Sequence, residues 1–179
     1  MNIRNALLGL LSLAGMLSGC STVVHNYAWA AYPVDPVLVR TDAAALHGKK
    51  VAVSYRDNDS ASVMIGQINN HQYFGSNEQL AEAVSIQLSD ELRRLGMSIS
   101  AGGSKTLNLR VSHPTTEQGA WVVRAHMRIM VETGDGYVFE KAISNATPGT
   151  IPRAFNGAVN LAVVDILNDA RIAAYLGAD

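Results

Sequence analysis

The chain has 179 residues, 48% of them hydrophobic, with 14 basic and 15 acidic side chains and a formal net charge of −1. This length suits a signal segment followed by one globular domain, and the balanced charge argues against nucleic acid as a partner, which would need a clustered basic face. The chain holds a single cysteine, so it can form no internal disulfide and must be stabilised by an ordinary hydrophobic core.

The N-terminus is typical of a secretory signal. Arg4 precedes an apolar run from Ala6 to Leu17, and small residues follow that run. Because a helix needs about 20 apolar residues to cross a bilayer core, a cleaved segment is favoured over a permanent membrane helix. We therefore predict a signal peptide over residues 1–19.

The end of the signal, Leu17-Ser18-Gly19-Cys20, resembles the bacterial lipobox. This resemblance implies cleavage between Gly19 and Cys20, a diacylglycerol on the Cys20 sulfur and an acylated new amino group. The alternative is a buried apolar cysteine within an ordinary signal region. Several acyl chains hold a protein firmly in a membrane where one chain binds reversibly.

The residue after the predicted lipidation site indicates whether the protein stays in the inner membrane or moves to the outer membrane. Lipoproteins retained in the inner membrane usually carry Asp at this position, so Ser21 resembles an outer-membrane address. The mature chain lacks Arg4 and has 13 basic against 15 acidic residues, a formal charge of −2. We predict a protein anchored by lipid in the outer membrane and facing the periplasm.

Residues 20–46 are predicted to form the lipidated N-terminus and a tether. A stretch without periodicity after an anchor lets a domain stand off the membrane. Residues 28–33, which include Trp29, are nevertheless apolar enough to lie along the domain or at the bilayer interface. Both interpretations of Ser21–Leu46 stay open, and residues 47–179 are predicted to form a single α+β domain.

The first half of that domain is predicted to contain one strand and one helix. Val51, Val53 and Tyr55 alternate in a strand that begins near Lys49. The polar stretch Arg56–Phe74 is typical of a long irregular connection. A helix is predicted to begin after a capping box formed by Ser76 and Gln79 and to end at Gly96.

Three further strands and a second helix are predicted. Leu107–Val111 and Trp121–Glu132 both alternate between apolar and polar residues, with Trp121 on the apolar face of the longer strand. A turn at residues 134–136 joins the longer strand to Tyr137–Ile143 as a hairpin. Pro152 suits the first turn of a helix whose apolar side extends to Ala173.

The predicted order is therefore β-α-β-β-β-α. Two amphipathic helices on one face of a mainly antiparallel four-stranded sheet would bury both apolar stripes in one core. The fold class predicted from the sequence is α+β.

No motif in the sequence predicts catalysis, a metal or a cofactor. The histidines show no zinc-ligand spacing, and the chain contains no Gly-x-Ser-x-Gly elbow and no Walker motif. The Asp57-Asn58-Asp59 stretch lacks the later ligands of a calcium loop. The five histidines are His25, His47, His71, His113 and His126.

One set of charges is a candidate binding surface. Arg110, Arg124, Arg128 and with them Lys141 are candidates for the sheet face that points away from the helices. A row of cations across strands could bind an anionic partner such as a lipopolysaccharide phosphate or an acidic protein surface. The alternative is a solvated face partly neutralised by neighbouring glutamates.

The residues also show a family resemblance. The segments "EQLAEAVSIQLSDELRRLGMSIS" and "GYVFEKAISNATPGTIPRAFNGAVNLAVVDILNDARIAAYL", together with the lipobox, resemble the YajG-type bacterial lipoproteins over Lys49–Leu176. The architecture is also similar to the lipoprotein that plugs the lipopolysaccharide translocon and to lipid-anchored auxiliary subunits of ABC transporters. The resemblance implies no catalytic residues and no cofactor.

We therefore predict a non-enzymatic lipoprotein that binds an envelope protein complex or a lipid. The candidate surfaces are the outer sheet face, an exposed sheet edge and the loops at Arg56–Phe74 and Thr115–Gly119. The alternative is a binder of a small ligand or glycolipid in a cleft between sheet and helices. Such a cleft should have a volume of about 300 Å³ or more.

Overall fold

The computed structural model describes residues 21–27, 29 and 32–178. These residues form an α+β domain with a five-stranded and a three-stranded sheet. Eight strands lie in the described part of the chain. They are β1 (Val23–Asn26), β2 (Lys50–Ser54), β3 (Val63–Ile68), β4 (His71–Gly75), β5 (Ser98–Ile99), β6 (Lys105–Gln118), β7 (Val123–Thr133) and β8 (Val138–Thr147).

Four described α-helices accompany these strands. They are α1 (Ala43–Leu46), α2 (Asn77–Arg94), α3 (Ile151–Asn168) and α4 (Ala170–Gly177), and a 3-10 turn spans Pro36–Leu38. No helix in the described ranges is both long enough and apolar enough to traverse a bilayer.

The five-stranded sheet has the order β5-β2-β6-β7-β8. β2 runs parallel to both β5 and β6, while β6, β7 and β8 are antiparallel. The prediction of a mainly antiparallel four-stranded sheet is therefore correct only at the level of α+β. The two-residue β5 is too short to show periodicity, and helix α2 lies in the crossover that makes β2 and β6 parallel.

Helices α2 and α3 cover one face of this sheet, which we call the inner face. Leu107 and Leu109 of β6, and Ala125, Ile129 and Val131 of β7, are fully buried there. The alternating burial along β7 matches the alternation in its sequence, because successive side chains of a strand point to opposite faces.

The termini of the long helices follow from local chemistry. Ser76 Oγ accepts from Gln79 N at 3.1 Å and Gln79 Oε1 accepts from Ser76 N at 3.0 Å, which confirms the predicted capping box. Gly96 follows α2 with φ +90°, as a residue that ends a helix in the left-handed conformation should.

The predicted second helix is in fact two helices. Asp169 ends α3 and begins α4, and its carboxylate accepts from Arg171 N at 3.0 Å and from Ile172 N at 2.9 Å. An aspartate that accepts two backbone N–H groups starts a new helix at that point. The apolar period continues across this break, so the periodicity alone predicts one helix.

The prediction of an irregular connection over Arg56–Phe74 is wrong, because that stretch contains β3 and β4. Asn69 and Asn70 form a two-residue turn between them, with φ +53° at Asn69. Asparagine tolerates this conformation, and such turns connect hairpins. The polar residues suggest a loop because this small sheet exposes much of its surface.

Residues in the stretch 21–46 contact the domain. β1 pairs in parallel with β4, and Tyr27 Oη donates to the buried Asn156 Oδ1 at 2.9 Å. Arg40 N donates to Asn168 Oδ1 at 2.7 Å, and Leu46 is fully buried. Of the two alternatives for Ser21–Leu46, the described residues support docking along the domain.

The β6–β7 hairpin also departs from the prediction. β6 continues through residues predicted as the open loop Thr115–Gly119, and β7 begins at Val123, so Trp121 lies in the hairpin turn with 89% of its surface exposed. A bulge between Ser112 and Thr115 shifts the register. Such a bulge interrupts strict alternation, so the sequence pattern stops at Val111.

Candidate functional site

The three predicted arginines lie on the sheet face that points away from α2 and α3, which we call the outer face. Arg110 belongs to β6, and Arg124 and Arg128 belong to β7, each between residues that are buried on the inner face. About half of each arginine side chain is exposed.

Each of these arginines has a carboxylate nearby. The pairs are Arg110–Asp57 at 3.7 Å, Arg124–Glu117 at 3.5 Å and Arg128–Glu140 at 2.6 Å. The outer face is therefore a mosaic of paired charges rather than a row of free cations. Its role in binding a partner stays a prediction.

Lys141 does not belong to this surface. It lies on the inner side of β8, and its Nζ is 2.7 Å from Asp165 Oδ1 of α3. Its neighbour Glu140 lies on the outer face, where it accepts a hydrogen bond from Arg128. Consecutive strand residues alternate between faces, so only one of these two neighbours can lie on the outer face.

Strand β8 forms one edge of the five-stranded sheet. It is 10 residues long and pairs with β7, and no other described strand pairs with it. Ala142, Ser144 and Ala146 are exposed on its outer side. A long edge presents unpaired backbone groups on one side, and these can add a strand from another chain.

A groove lies beside this edge, between β8, the end of α3 and the 3-10 turn, and we call it the edge groove. Its volume is about 500 Å³. Val37 and Leu38, which are 85% and 47% exposed, contribute apolar surface at its rim. Further lining residues are Arg40, Phe139, Lys141, Asp165, Asn168 and Asp169.

Hydrogen bonds to the end of α3 fix the wall of the edge groove. Asn168 Oδ1 accepts from Arg40 N at 2.7 Å, and Asn168 Nδ2 donates to Leu38 O at 2.8 Å. The Thr41 hydroxyl donates to Leu167 O. These bonds hold the two apolar residues Val37 and Leu38 at the groove without burying them.

An aromatic cluster borders the groove at Asp169. Tyr137 Oη donates to Asp169 Oδ2 at 3.2 Å, and the Arg171 guanidinium lies 4.2 Å from the centre of the Tyr137 ring. Partial desolvation, together with the Asp169 carboxylate, raises the pKa of Tyr137.

The structure also brings together two histidines that the sequence does not pair. His25 Nε2 lies 2.8 Å from His71 Nδ1, and the His25 ring stacks on Tyr73 with 4.8 Å between ring centres. This contact depends on the β1–β4 pairing, and no local spacing signals it. Within the described ranges, no group of three or more metal-ligating side chains comes together.

Asn58 gives the Asp57-Asn58-Asp59 stretch a structural role. Its Nδ2 donates to Tyr55 O at 2.5 Å and to Leu109 O at 3.1 Å, and its Oδ1 accepts from Val111 N at 2.8 Å. The side chain joins the end of β2 to β6, as expected of a structural loop. The predicted lipidation site Cys20 and the cleavage residue Gly19 lie outside the described residues.

The arrangement defines an α+β domain with two helices on a mixed sheet whose edge strand β8 pairs, among the described strands, with β7 alone. Among solved structures, its fold is similar to that of the DUF330 protein XCC0632 from Xanthomonas campestris. The TM-score is 0.50 at 12% identity, and the likeness covers 85% of this chain and 96% of that chain.

A second solved structure, described only as an uncharacterized protein, matches with a TM-score of 0.35 and 15% identity over 83% of this chain and 97% of that chain. No protein-family model and no curated protein matches the sequence. At these identities the likeness to XCC0632 concerns the fold alone. The YajG-type resemblance stays a prediction.

Proposed function

We propose that the protein is a lipid-anchored, non-enzymatic lipoprotein of the outer membrane whose periplasmic domain binds an envelope protein. The contact surface is the β8 edge with the edge groove and the adjoining outer face. The observation that carries the proposal is the ten-residue edge strand beside a groove with two exposed apolar residues. Strand addition supplies affinity through backbone bonds, and adjacent pockets supply specificity.

The anchor is supported by the order of the N-terminal features. A charged start, an apolar run and a lipobox cysteine occur in sequence, and Cys20 is the only thiol available to accept a lipid. Cys20→Ala should abolish lipid labelling and leave an uncleaved precursor. A Cys20→Ala protein that is processed and localised like the wild type would overturn the anchor.

The outer-membrane location is tested by substitution of Ser21, the residue after Cys20. Ser21→Asp should move the lipidated protein from the outer-membrane fraction to the inner-membrane fraction, if Ser21 specifies the outer membrane. Ser21→Thr is the matched control and should leave fractionation unchanged. Unchanged fractionation of Ser21→Asp would remove the support for an outer-membrane location.

The edge surface is tested by crosslinking in cells. A photo-crosslinking side chain at Ser144 or Val37 should yield the same discrete product with an envelope protein. The matched control is Ile86, which is 43% exposed on α2. That helix packs mainly on β6, which is separated from β8 by β7 in the sheet. A product that forms equally at Ile86, or none at Ser144 and Val37, contradicts the proposal.

The edge groove also supports a second candidate function, the binding of a small ligand or glycolipid. Its volume of about 500 Å³ lies in the range of ligand sites, and it is bounded by β8 and α3. Fully buried side chains such as Phe155, Leu109 and Ile166 fill the space deeper between sheet and helices. Lipid that co-purifies with wild-type protein and is lost in Leu38→Asp would favour this function over a protein partner.

A further inference from the structure

The turn of the β6–β7 hairpin is an exposed apolar projection. Gly119 N donates to Val122 O at 2.8 Å, and this bond closes a turn with Ala120 and Trp121 at its tip. Trp121 is 89% exposed, and Val122 is 36% exposed. A tryptophan presented to solvent in this way is unusual, because its large apolar surface favours burial.

The sequence around the tip is uncharged. Residues 118–123 are Gln-Gly-Ala-Trp-Val-Val. The nearest charges on the two strands, Glu117 and Arg124, lie 3.5 Å apart and so offset one another. No charged side chain of the hairpin turn therefore opposes contact with an apolar medium.

The same end of the molecule holds the start of the described chain. Asn70 Nδ2 donates to Ser21 O at 3.0 Å, and Asn70 O accepts from Val23 N at 2.9 Å, so Ser21 is fixed at the β3–β4 turn. Ile68, at the end of β3, shares one shallow cavity of about 260 Å³ with Trp121 and Val122. The hairpin tip is thus adjacent to the point where the chain enters the domain.

This adjacency matters because Cys20 is bonded directly to Ser21. One residue spans at most about 3.6 Å, so lipids on Cys20 would bring the bilayer surface close to Ser21 and hence close to the hairpin tip. Tryptophan and apolar side chains are favoured at the boundary between headgroups and acyl chains, where the indole N–H still meets polar groups.

We propose that the β6–β7 hairpin tip inserts Trp121 into the lipid bilayer beside the acyl anchor, as a second membrane contact. This inference rests on the proposed lipid anchor. A lipid alone leaves the domain free to pivot in every direction, and a second contact restricts that pivoting.

The orientation that follows agrees with the proposed partner surface. Strand β7 runs from Val123 beside the tip to Val131, which pairs with Phe139 of the edge groove. Eight residues of strand span roughly 25 Å. The edge groove therefore lies at the end of β7 that is remote from the inserted hairpin tip, and the tip contact leaves it open to a partner.

The test uses the full-length protein, acylated in cells, purified and reconstituted into phosphatidylethanolamine–phosphatidylglycerol vesicles. Trp29→Phe leaves Trp121 as the single tryptophan. Its emission should be blue-shifted, and phospholipids brominated on the acyl chains should quench it several-fold more than they quench a tryptophan at the opposite end of the sheet. That matched control is Val37→Trp in the Trp29→Phe, Trp121→Phe background, because Val37 is also an exposed apolar residue.

Mass spectrometry of the N-terminus in the same samples separates this inference from the proposed function. An unacylated Cys20 overturns the anchor and this inference together. An acylated protein whose Trp121 is quenched no more than the tryptophan at position 37, and stays accessible to acrylamide, overturns the hairpin insertion and leaves the anchor intact.

Discussion

The two faces of the five-stranded sheet use the same strands for different purposes. On the inner face, Leu109 and Ile129 are fully buried under α2 and α3. On the outer face, Arg110 and Arg128 are about half exposed and paired with carboxylates. Close packing makes the inner face sensitive to the loss or gain of single carbon atoms, while solvent screens the charge pairs outside. Stability should therefore depend on the inner face, and recognition on the outer face and its edge.

The largest expected effect is on the inner side. Phe155 of α3 is fully buried, and its ring meets Tyr27 edge to face with 6.0 Å between centres. Phe155→Ala leaves a cavity and should lower the free energy of unfolding by about 3–5 kcal/mol, measured by urea denaturation. Ile86→Ala, which truncates an exposed apolar residue, should stay within about 0.5 kcal/mol. Equal losses of unfolding free energy in the two variants would contradict the view that stability depends on the inner face.

A second substitution tests how little space the inner side leaves. A Cβ added at Gly66 of β3 would lie 2.0 Å from Thr116 Oγ1 and 2.7 Å from Ile151 Cδ1, so these side chains or the β3 backbone would have to move, which would disturb the bond from the Thr116 hydroxyl to Ile65 O. Gly66→Ala should lower the free energy of unfolding by about 1–3 kcal/mol. Gly102→Ala is its matched control, because nothing lies within 4 Å of a Cβ there. Thermal melts of the two variants should differ accordingly.

The third prediction concerns the hydrogen bond between the N-terminal segment and the core. Tyr27→Phe leaves the buried Asn156 Oδ1 without its donor and should lower the free energy of unfolding by about 1–3 kcal/mol at neutral pH. Tyr32→Phe, at a half-exposed tyrosine, should change it little.

The same variant has a pH signature. Burial raises the pKa of Tyr27, whereas the hydroxyl in the unfolded chain ionises near pH 10. Above about pH 10 the Tyr27 hydroxyl loses its proton in the unfolded chain but keeps it in the folded protein. The free energy of unfolding of the wild type therefore falls as the pH rises above about 10. Tyr27→Phe lacks this fall, and the stability gap to the wild type should narrow there. A gap that widens in denaturation at pH 9 and 11 would contradict the assignment.

The smallest effect on stability is expected on the outer face. Arg128 and Glu140 are 54% and 42% exposed at 2.6 Å, and an exposed pair of this kind contributes about 0–1 kcal/mol. Arg128→Ala should stay within that range, with a double-mutant cycle through Glu140→Ala to isolate the pair. The same variant should weaken the crosslink at Ser144 if the outer face takes part in binding. If Arg128→Ala lowered the free energy of unfolding as much as Phe155→Ala does, the two faces would not differ in their contribution to stability.

The inner face could largely be predicted from the sequence. The apolar period of two in β7 and the helical period in α2 arise because those residues are buried, and the capping box specifies where α2 begins. These signals are local and do not depend on the rest of the fold. The predicted helix after Ser76 and the hairpin of β7 and β8 are accordingly confirmed.

The regions that could not be predicted depend on contacts between distant residues. The bulge near His113 shifts the phase of β6, and the small sheet is polar enough to resemble a loop. Trp121 continues the alternation of β7 although the strand begins two residues later. The edge groove combines residues 37–40 with parts of β8 and α3 that lie about 100 residues or more further along the chain. No local sequence pattern indicates that these residues come together.

The N-terminal segment is held by residues far along the chain, and this has a consequence for the order of folding. The Ser21–Asn70 bond spans 49 positions, the Tyr27–Asn156 bond 129 and the Arg40–Asn168 bond 128. Contacts of such long sequence separation form slowly, because a large loop must close before they are made. The N-terminal segment should therefore be the last part of the domain to settle, after α3 has formed, and its amides should gain protection from hydrogen exchange latest in refolding.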